Sequence, residues 1–249
     1  MDGVSIYALL GLAAFGAGAL NSVAGGGSFL TLPALVFVGV PPVIANATGT
    51  VALLPGYAAG AWGFREDTAP PPGLSMRLLV VLSLVGGALG AGLLLVTSNE
   101  TFSIVIPWLL LAATVLFAFG PQLRRLLAGG QASTAKATVG VLAVAIYGGY
   151  FNGGLGILLL ALFGLLGQTQ LNAMNGLKNL VSALLTAIAV AVYAVGDVVN
   201  WRYALLMMLA ATAGGYIGAR VARRIPAQWL RWGIVATGLV MTGIFFARQ

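Results

Sequence analysis

Cysteine and histidine are both missing from this chain. Their absence removes disulfides, thiolate and imidazole metal ligands, and the Cys-His and Ser-His pairs of nucleophilic catalysis. Carboxylates are scarce as well: Asp2, Glu66, Asp67, Glu100 and Asp197 are all there are, and each falls at a terminus or in a segment that reads as a loop. A proton relay, a cation site or general acid/base catalysis within a membrane would need such groups at depth, so none is supported. A G-x-x-x-x-G-K-[ST] phosphate loop is also missing, so ATP would have to come from a partner. No enzyme activity, cofactor or metal is implied.

Charge of either sign is the scarcest property overall. Only 7% of residues are charged and 60% are hydrophobic, whereas a soluble domain carries about 25% charged residues to solvate its surface. The first 64 residues hold a single charge, Asp2, and residues 78–97, 102–119, 137–177, 203–219 and 232–247 hold none. Several of these runs reach the roughly 20 residues that a bilayer-spanning helix needs. The expected fold is therefore all-α, a polytopic membrane helix bundle with the lipid bilayer as its solvent. The first apolar segment has no basic region before it and no small-residue cleavage site after it, so it is expected to remain in the mature protein.

Glycine is what the chain has in excess, 36 residues. In lipid, small residues let helix backbones approach where no hydrophobic drive is available, and GGALGAG (86–92) and GGYIGA (214–219) fit that use. The net charge of +7 does not read as a nucleic-acid surface, because the basic residues sit in short loops between apolar runs and form no stripe.

A shift of 128 residues lays GGALGA (86–91) on GGYIGA (214–219), and a shift of 131 lays Asn21 on Asn152 and Gly25 on Gly156. Two related halves are predicted: a first membrane repeat over 1–119, a cytoplasmic linker over 120–136 and a second membrane repeat over 137–249. Each half opens on a run too long for one crossing, since 35 helical residues would exceed about 50 Å against a core of about 30 Å. The breaks are written at NSVAGGGS (21–28) and NGGLG (152–156), which makes each run a pair of short crossings or a re-entrant hairpin. Either form gives an odd number of crossings per half and inverts the second repeat. Arg65, Arg77, Arg124, Arg125, Lys136, Arg220, Arg223, Arg224 and Arg231 then share one face, and only Arg202 and Arg248 take the other. Counting each broken run as one crossing would divide them seven against four. The positive-inside bias favours the inverted arrangement, with both termini outside the cytoplasm and Trp62, Trp201, Trp229 and Trp232 as interfacial anchors.

Inverted repeats with broken helices place a transporter's substrate near the midplane, where half-helix ends meet. At such an end, unpaired amides and the helix dipole attract an anion without side-chain charge. Gly25, Gly26 and Gly27 would let an anion approach the backbone, with Asn21, Ser22 and Ser28 beside them; Asn152, Gly153 and Gly154 occupy the corresponding place in the second half. The alternative is that these glycines only permit tight helix crossing. Lys178, in NAMNGLKN (172–179), lies about two turns inside the hydrocarbon boundary, where ionisable residues are costly and functional by default; a long stem could instead snorkel to the interface. Asn46, Thr48 and Thr50 in the first half, with Asn172, Asn175 and Asn179 in the second, supply neutral donors and acceptors, or serve as interhelical glue.

GALNSVAGGGSFLTLPALVFVGVPPVIANATGT (18–50) resembles the first signature of the TauE/SafE sulfite exporter family. LNAMNGLKNLVSALL (171–185), GDVVNW (196–201) and GGYIGARVARRIP (214–226) resemble its second repeat, so the likeness covers nearly the whole chain. The resemblance implies a multi-pass carrier in the bacterial inner membrane for a small sulfur-containing anion, such as sulfite or a sulfonate. It assigns the binding role to Asn21, Gly25, Gly26, Gly27, Thr48, Asn152, Asn175 and Lys178 as matching positions. Export by alternating access is the expected function; a membrane-embedded scaffold or assembly subunit without transport is the other reading.

Overall fold

The computed structural model describes residues 3–23, 25–127, 133–222 and 227–247. These fold into helices α1 (Gly3–Val23), α2 (Ser28–Phe37), α3 (Pro42–Gly63), α4 (Met76–Leu95), α5 (Asn99–Leu127), α6 (Thr134–Tyr150), α7 (Leu155–Leu165), α8 (Leu171–Val195), α9 (Trp201–Ala222) and α10 (Ala227–Ala247). No strand occurs among the described residues. Helical stretches Gly3–Ser22, Met76–Leu95, Asn99–Leu116 and Asn172–Val195 are each long and apolar enough to cross a bilayer. The chain is an all-α bundle of membrane helices. Asp2, Arg223, Arg224 and Arg248, used in the sequence argument, lie outside the described residues. α5 continues through Arg124 and Arg125 to Leu127, and α6 begins at Thr134, both within the span 120–136 that the sequence reading takes as a linker.

Helix ends follow local chemistry. Ser75 accepts from the Leu78 amide at 3.2 Å and Ser133 from the Lys136 amide at 3.4 Å, capping α4 and α6. Pro42 opens α3 at the position where a missing N–H costs nothing. α2 and α7 stop in the same way. Gly39 (φ +89°) and Gly167 (φ +86°) turn left-handed, and the next amides, of Val40 and Gln168, reach back to Leu35 and Phe163, which occupies carbonyls the helix leaves open.

Both long opening runs break where the glycines fall. Their second arms hold 10 and 11 residues, about 15–17 Å at 1.5 Å per residue, half the thickness of the hydrocarbon core. Neither arm can cross, and each returns towards the end from which its partner came. Gln168, just past α7, donates to the Ala69 carbonyl at 3.2 Å, and Thr134, at the start of α6, lies beside Gly73. That end also carries Arg65 and is called the Arg65 end. At the opposite, Asn99 end, the Val43 amide donates to Asn99 Oδ1 at 3.0 Å and the Asn200 amide to Thr48 Oγ1 at 3.0 Å.

The most extensive contacts, α1 with α9, α4 with α6, α4 with α8, α3 with α8, α5 with α10 and α3 with α9, each join one half of the chain to the other. Replacing every helix by its counterpart five places along turns this set into itself. Small residues make the two largest contacts possible. A Cβ on Gly18 would be driven into the Ala211 carbonyl, and one on Gly214 into that of Phe15; Gly90 and Gly149 meet the Ile146 and Gly87 carbonyls in the same manner. Backbones at this separation gain dispersion contact that a larger residue would forbid. Gly214→Leu is therefore expected to lower stability by about 3 kcal/mol or more through overpacking, read as a fall in thermal midpoint and folded yield in detergent. Gly92→Leu, at a position whose Cβ would meet nothing within 4 Å, should leave both close to those of the unmodified chain.

Candidate functional site

The two breaks meet. Gly25 (φ +81°) and Gly154 (φ +69°) adopt left-handed conformations, as does Asn152 (φ +60°), a residue type that tolerates them better than most. A Cβ on Gly25 would stand 2.8 Å from Gly156 Cα, and one on Gly156 would stand 2.9 Å from Gly25 Cα. The glycines matched by the internal repeat thus touch each other across the bundle, and any side chain at either would force them apart. The Lys178 stem crosses the same point, its Cδ 3.3 Å from a Cβ on Gly156. Lys178 is only 2% exposed. The one ion pair among the described residues is Arg65–Glu66 at the surface, so no carboxylate neutralises this buried cation.

A break in lipid frees backbone groups that only the protein can satisfy. At the second break, side chains do this work. Tyr147 donates to the Gly153 carbonyl at 2.5 Å, Tyr193 donates to that of Gly149, and Asn46 Nδ2 donates to that of Tyr150 at 2.9 Å. Asn152 is held on three sides. Its Oδ1 accepts from Tyr57 at 3.0 Å, its Nδ2 donates to Thr186 Oγ1 at 3.4 Å, and its carbonyl accepts from Ser28 Oγ at 3.4 Å. The helix starts are partly self-satisfied: the Phe29 and Leu30 amides bond to the Gly26 and Gly27 carbonyls, and the Leu155 and Ile157 amides to those of Asn152 and Gly154. These tight turns leave fewer amides for a ligand than a freely ending helix would offer.

Beside the first break lies a cavity of about 300 Å³ between α1, α3, α8 and α9. It extends from Phe64, at the Arg65 end, to Leu53 and Asn21 half-way along, with Gly56, Gly60 and Asn179 in its wall. Asn21 is 8% exposed and lies beside the Tyr57 hydroxyl; its Oδ1 has no hydrogen-bond partner among the described residues. Ser182, one turn beyond Lys178, has an unpartnered hydroxyl too. A polar path therefore runs from the cavity through Asn21, Tyr57, Asn152 and Thr186, and Asn179 brings the α8 turn that carries Lys178 to the cavity wall.

Of the residues singled out from sequence, Asn21, Gly25, Gly26, Gly27, Ser28, Asn152, Gly153, Gly154 and Lys178 gather at or beside the crossing, and Ser22 and Asn179 join them through the cavity. The Ser22 hydroxyl is turned to its own helix, donating to the Ala19 carbonyl at 2.8 Å. Asn46 and Thr48 bond to backbone at the ends of α6 and α9; Thr50 is buried on α3, and Asn175 is half-buried on α8. Tyr57, Tyr147, Tyr193 and Thr186 were missed. A signal existed, because a tyrosine inside an apolar run must find a partner for its hydroxyl when buried, but the sequence does not say which carbonyl it meets.

Residues 10–245 match the family described as Sulfite exporter TauE/SafE. A probable membrane transporter protein of Haemophilus influenzae is 26% identical, over 96% of this chain and 94% of its own length. The probable membrane transporter protein ORF9 of a Sinorhizobium species is 28% identical over 95% and 90%, and YfcA of Escherichia coli, another probable membrane transporter protein, is 25% identical over 91% and 84%. No solved structure matches the chain.

Tyr57→Phe strips Asn152 Oδ1 of its donor at a buried site, where an unsatisfied group costs about 1–3 kcal/mol. A lowered thermal midpoint in detergent is expected from Tyr57→Phe. Tyr7→Phe, at a 43% exposed position, should change it little.

Proposed function

The chain belongs to the TauE/SafE sulfite exporter family of membrane transporters, and from that premise we propose that it is a secondary carrier moving a small sulfur-containing anion, such as sulfite or a sulfonate, out of the cytoplasm by alternating access. Lys178 carries this reading: a lysine 2% exposed, without a carboxylate partner among the described residues, at the contact of two broken helices. Such a cation in a water-poor bundle is costly, and an anion that neutralises it gains affinity. The near-complete burial favours this role over snorkelling. The carrier carries out no covalent chemistry.

The reciprocal packing of the halves and the matched glycines support two inverted repeats, 1–119 and 137–249, joined at a cytoplasmic linker. The Arg65 end is then cytoplasmic, and the cavity beside Asn21 is the substrate's way in. Gly25, Gly26, Gly27, Ser28, Asn152, Gly153 and Gly154 shape the binding place around Lys178, while Asn21, Ser22 and Asn179 line the approach. Asn46 and Thr48 hold the ends of α6 and α9 in register, and Thr50 and Asn175 add neutral polar groups on α3 and α8 around the site. No further energy source is required: an inside-negative potential of about 100 mV drives each negative charge outward by roughly 2.3 kcal/mol.

Lys178→Gln preserves the helix and removes the charge. The expected result is a rise of about ten-fold or more in half-saturation for sulfite or sulfonate flux, some 1.4 kcal/mol of lost attraction, in vesicles matched for inserted protein; Lys136→Gln, at an exposed position near the Arg65 end, serves as the control. Equal flux and half-saturation in Lys178→Gln and the unmodified chain would make the lysine an anchor and remove it from the site. Orientation is tested separately with single cysteines introduced into the cysteine-free chain. An impermeant thiol reagent added to intact cells should label Glu100→Cys and spare Ala135→Cys; the reverse pattern would put the Arg65 end outside.

A further inference from the structure

The two hairpins correspond in sequence but are not held alike. α2 lies between the crossing of the breaks and the Asn99 end, with Phe29, Leu32 and Leu35 buried to 1% or less, so it closes the site on that side. On the carrier reading above, we propose that α2 is the moving gate to the Asn99 end, swinging into the groove between itself, α1 and α10, while α6 and α7 stay fixed.

Hydrogen bonding separates the hairpins first. The second break is tied by Tyr57, Tyr147, Tyr193, Asn46 and Thr186. From the first break and α2, the long-range side-chain contacts of this kind among the described residues are two, Ser28 to the Asn152 carbonyl and Asn21 to the Tyr57 hydroxyl. Thr31 Oγ1 on α2 and Asn21 Oδ1 beside the first break are buried without a hydrogen-bond partner among the described residues. Buried polar groups are seldom left so, and these two add no bond that would hold α2 in place.

The arrangement and the construction of the two arms differ as well. α7 packs on α5, α6 and α8, while α2 packs as extensively on α1 and α3 with only a slight contact to α10. Its outer side instead faces a groove of about 430 Å³, lined by residues that include Leu9, Ala13, Pro33, Ala34, Phe37 and Met241. Every one of these is apolar, so a helix moving into the groove trades contact with lipid tails for contact with side chains, and the one side-chain bond of α2 it gives up is that of Ser28. Pro33 sits inside α2; lacking an N–H, it leaves the Phe29 carbonyl without its i+4 donor and loosens the helix at its middle. α7, LGILLLALFGL, has no proline.

A disulfide can hold the gate shut. A Cβ on Gly49 of α3 would stand 3.3 Å from Thr31 Cβ, close to the ~3.8 Å typical of bridged cysteines. The double variant Thr31→Cys/Gly49→Cys, reconstituted in vesicles, should lose sulfite or sulfonate flux by about ten-fold or more when oxidised and regain it with dithiothreitol, as a gating step that limits turnover requires. Ala13→Phe, which fills the groove, should slow flux several-fold at equal insertion, and it decides the matter if the reduced double variant proves inactive. Flux that persists through a bridge verified by mass, or an undiminished rate in Ala13→Phe, overturns the gate while leaving the carrier intact. Absence of anion flux from the unmodified chain would instead refute the carrier reading, and the gate with it.

Discussion

Backbone amides and carbonyls have no partner in hydrocarbon, and a helix that breaks there must be repaired from within the protein. Everything central to this bundle follows from having two such breaks and bringing them together. Gly25 and Gly156 touch because neither has a Cβ. Their contact places the ends of α1, α2, α6 and α7 around one point, where Tyr147, Tyr193 and Asn46 bond freed carbonyls and Tyr57 holds the Asn152 side chain. Beside this contact Lys178 is almost fully buried.

That burial sets the energetics of the proposed site. A lysine in a neutral, dry surround interacts strongly with an anion, yet carriers need release as much as capture. On the proposed reading the cavity beside Asn21 is the route at moderate depth, and the partly self-bonded helix starts temper the pull of their dipoles. Binding would then depend on one charge and a few neutral groups, which suits a substrate that must leave again when the carrier opens.

The halves match in outline and diverge in tightness. Reciprocal packing, α1 with α9 and α4 with α6, forms a frame in which glycine lets backbones touch. Within it one hairpin is bonded on several sides, while the other carries a proline and an open groove on its outer face. A duplicated architecture can thus assign its copies different tasks by small changes: a tyrosine here, a proline there.

Class, breaks and buried charge were legible because each rests on local physics. Apolar runs fix membrane helices by length, glycine clusters such as GGG at 25–27 mark where a run too long for the bilayer must break, and Lys178 stands out as an ionisable residue at depth. Gly25 and Gly156 could be paired as counterparts, but only the folded chain made them neighbours, since helix-to-helix contact depends on how ten helices share one volume. For the same reason Thr48 and Asn46, chosen as possible ligands, turned out to bond helix ends, while Tyr57, Tyr147 and Tyr193 went unnoticed. A side chain's partner is a long-range property: Tyr57 and Asn152 stand 95 positions apart. The sequence by itself determined that this is a helical membrane protein with two glycine breaks and one deep cation. Tertiary packing alone decided that the breaks touch, that the lysine crosses their contact, and that one hairpin is bonded by more distant side chains than the other, because each is a matter of which distant groups come within bonding distance.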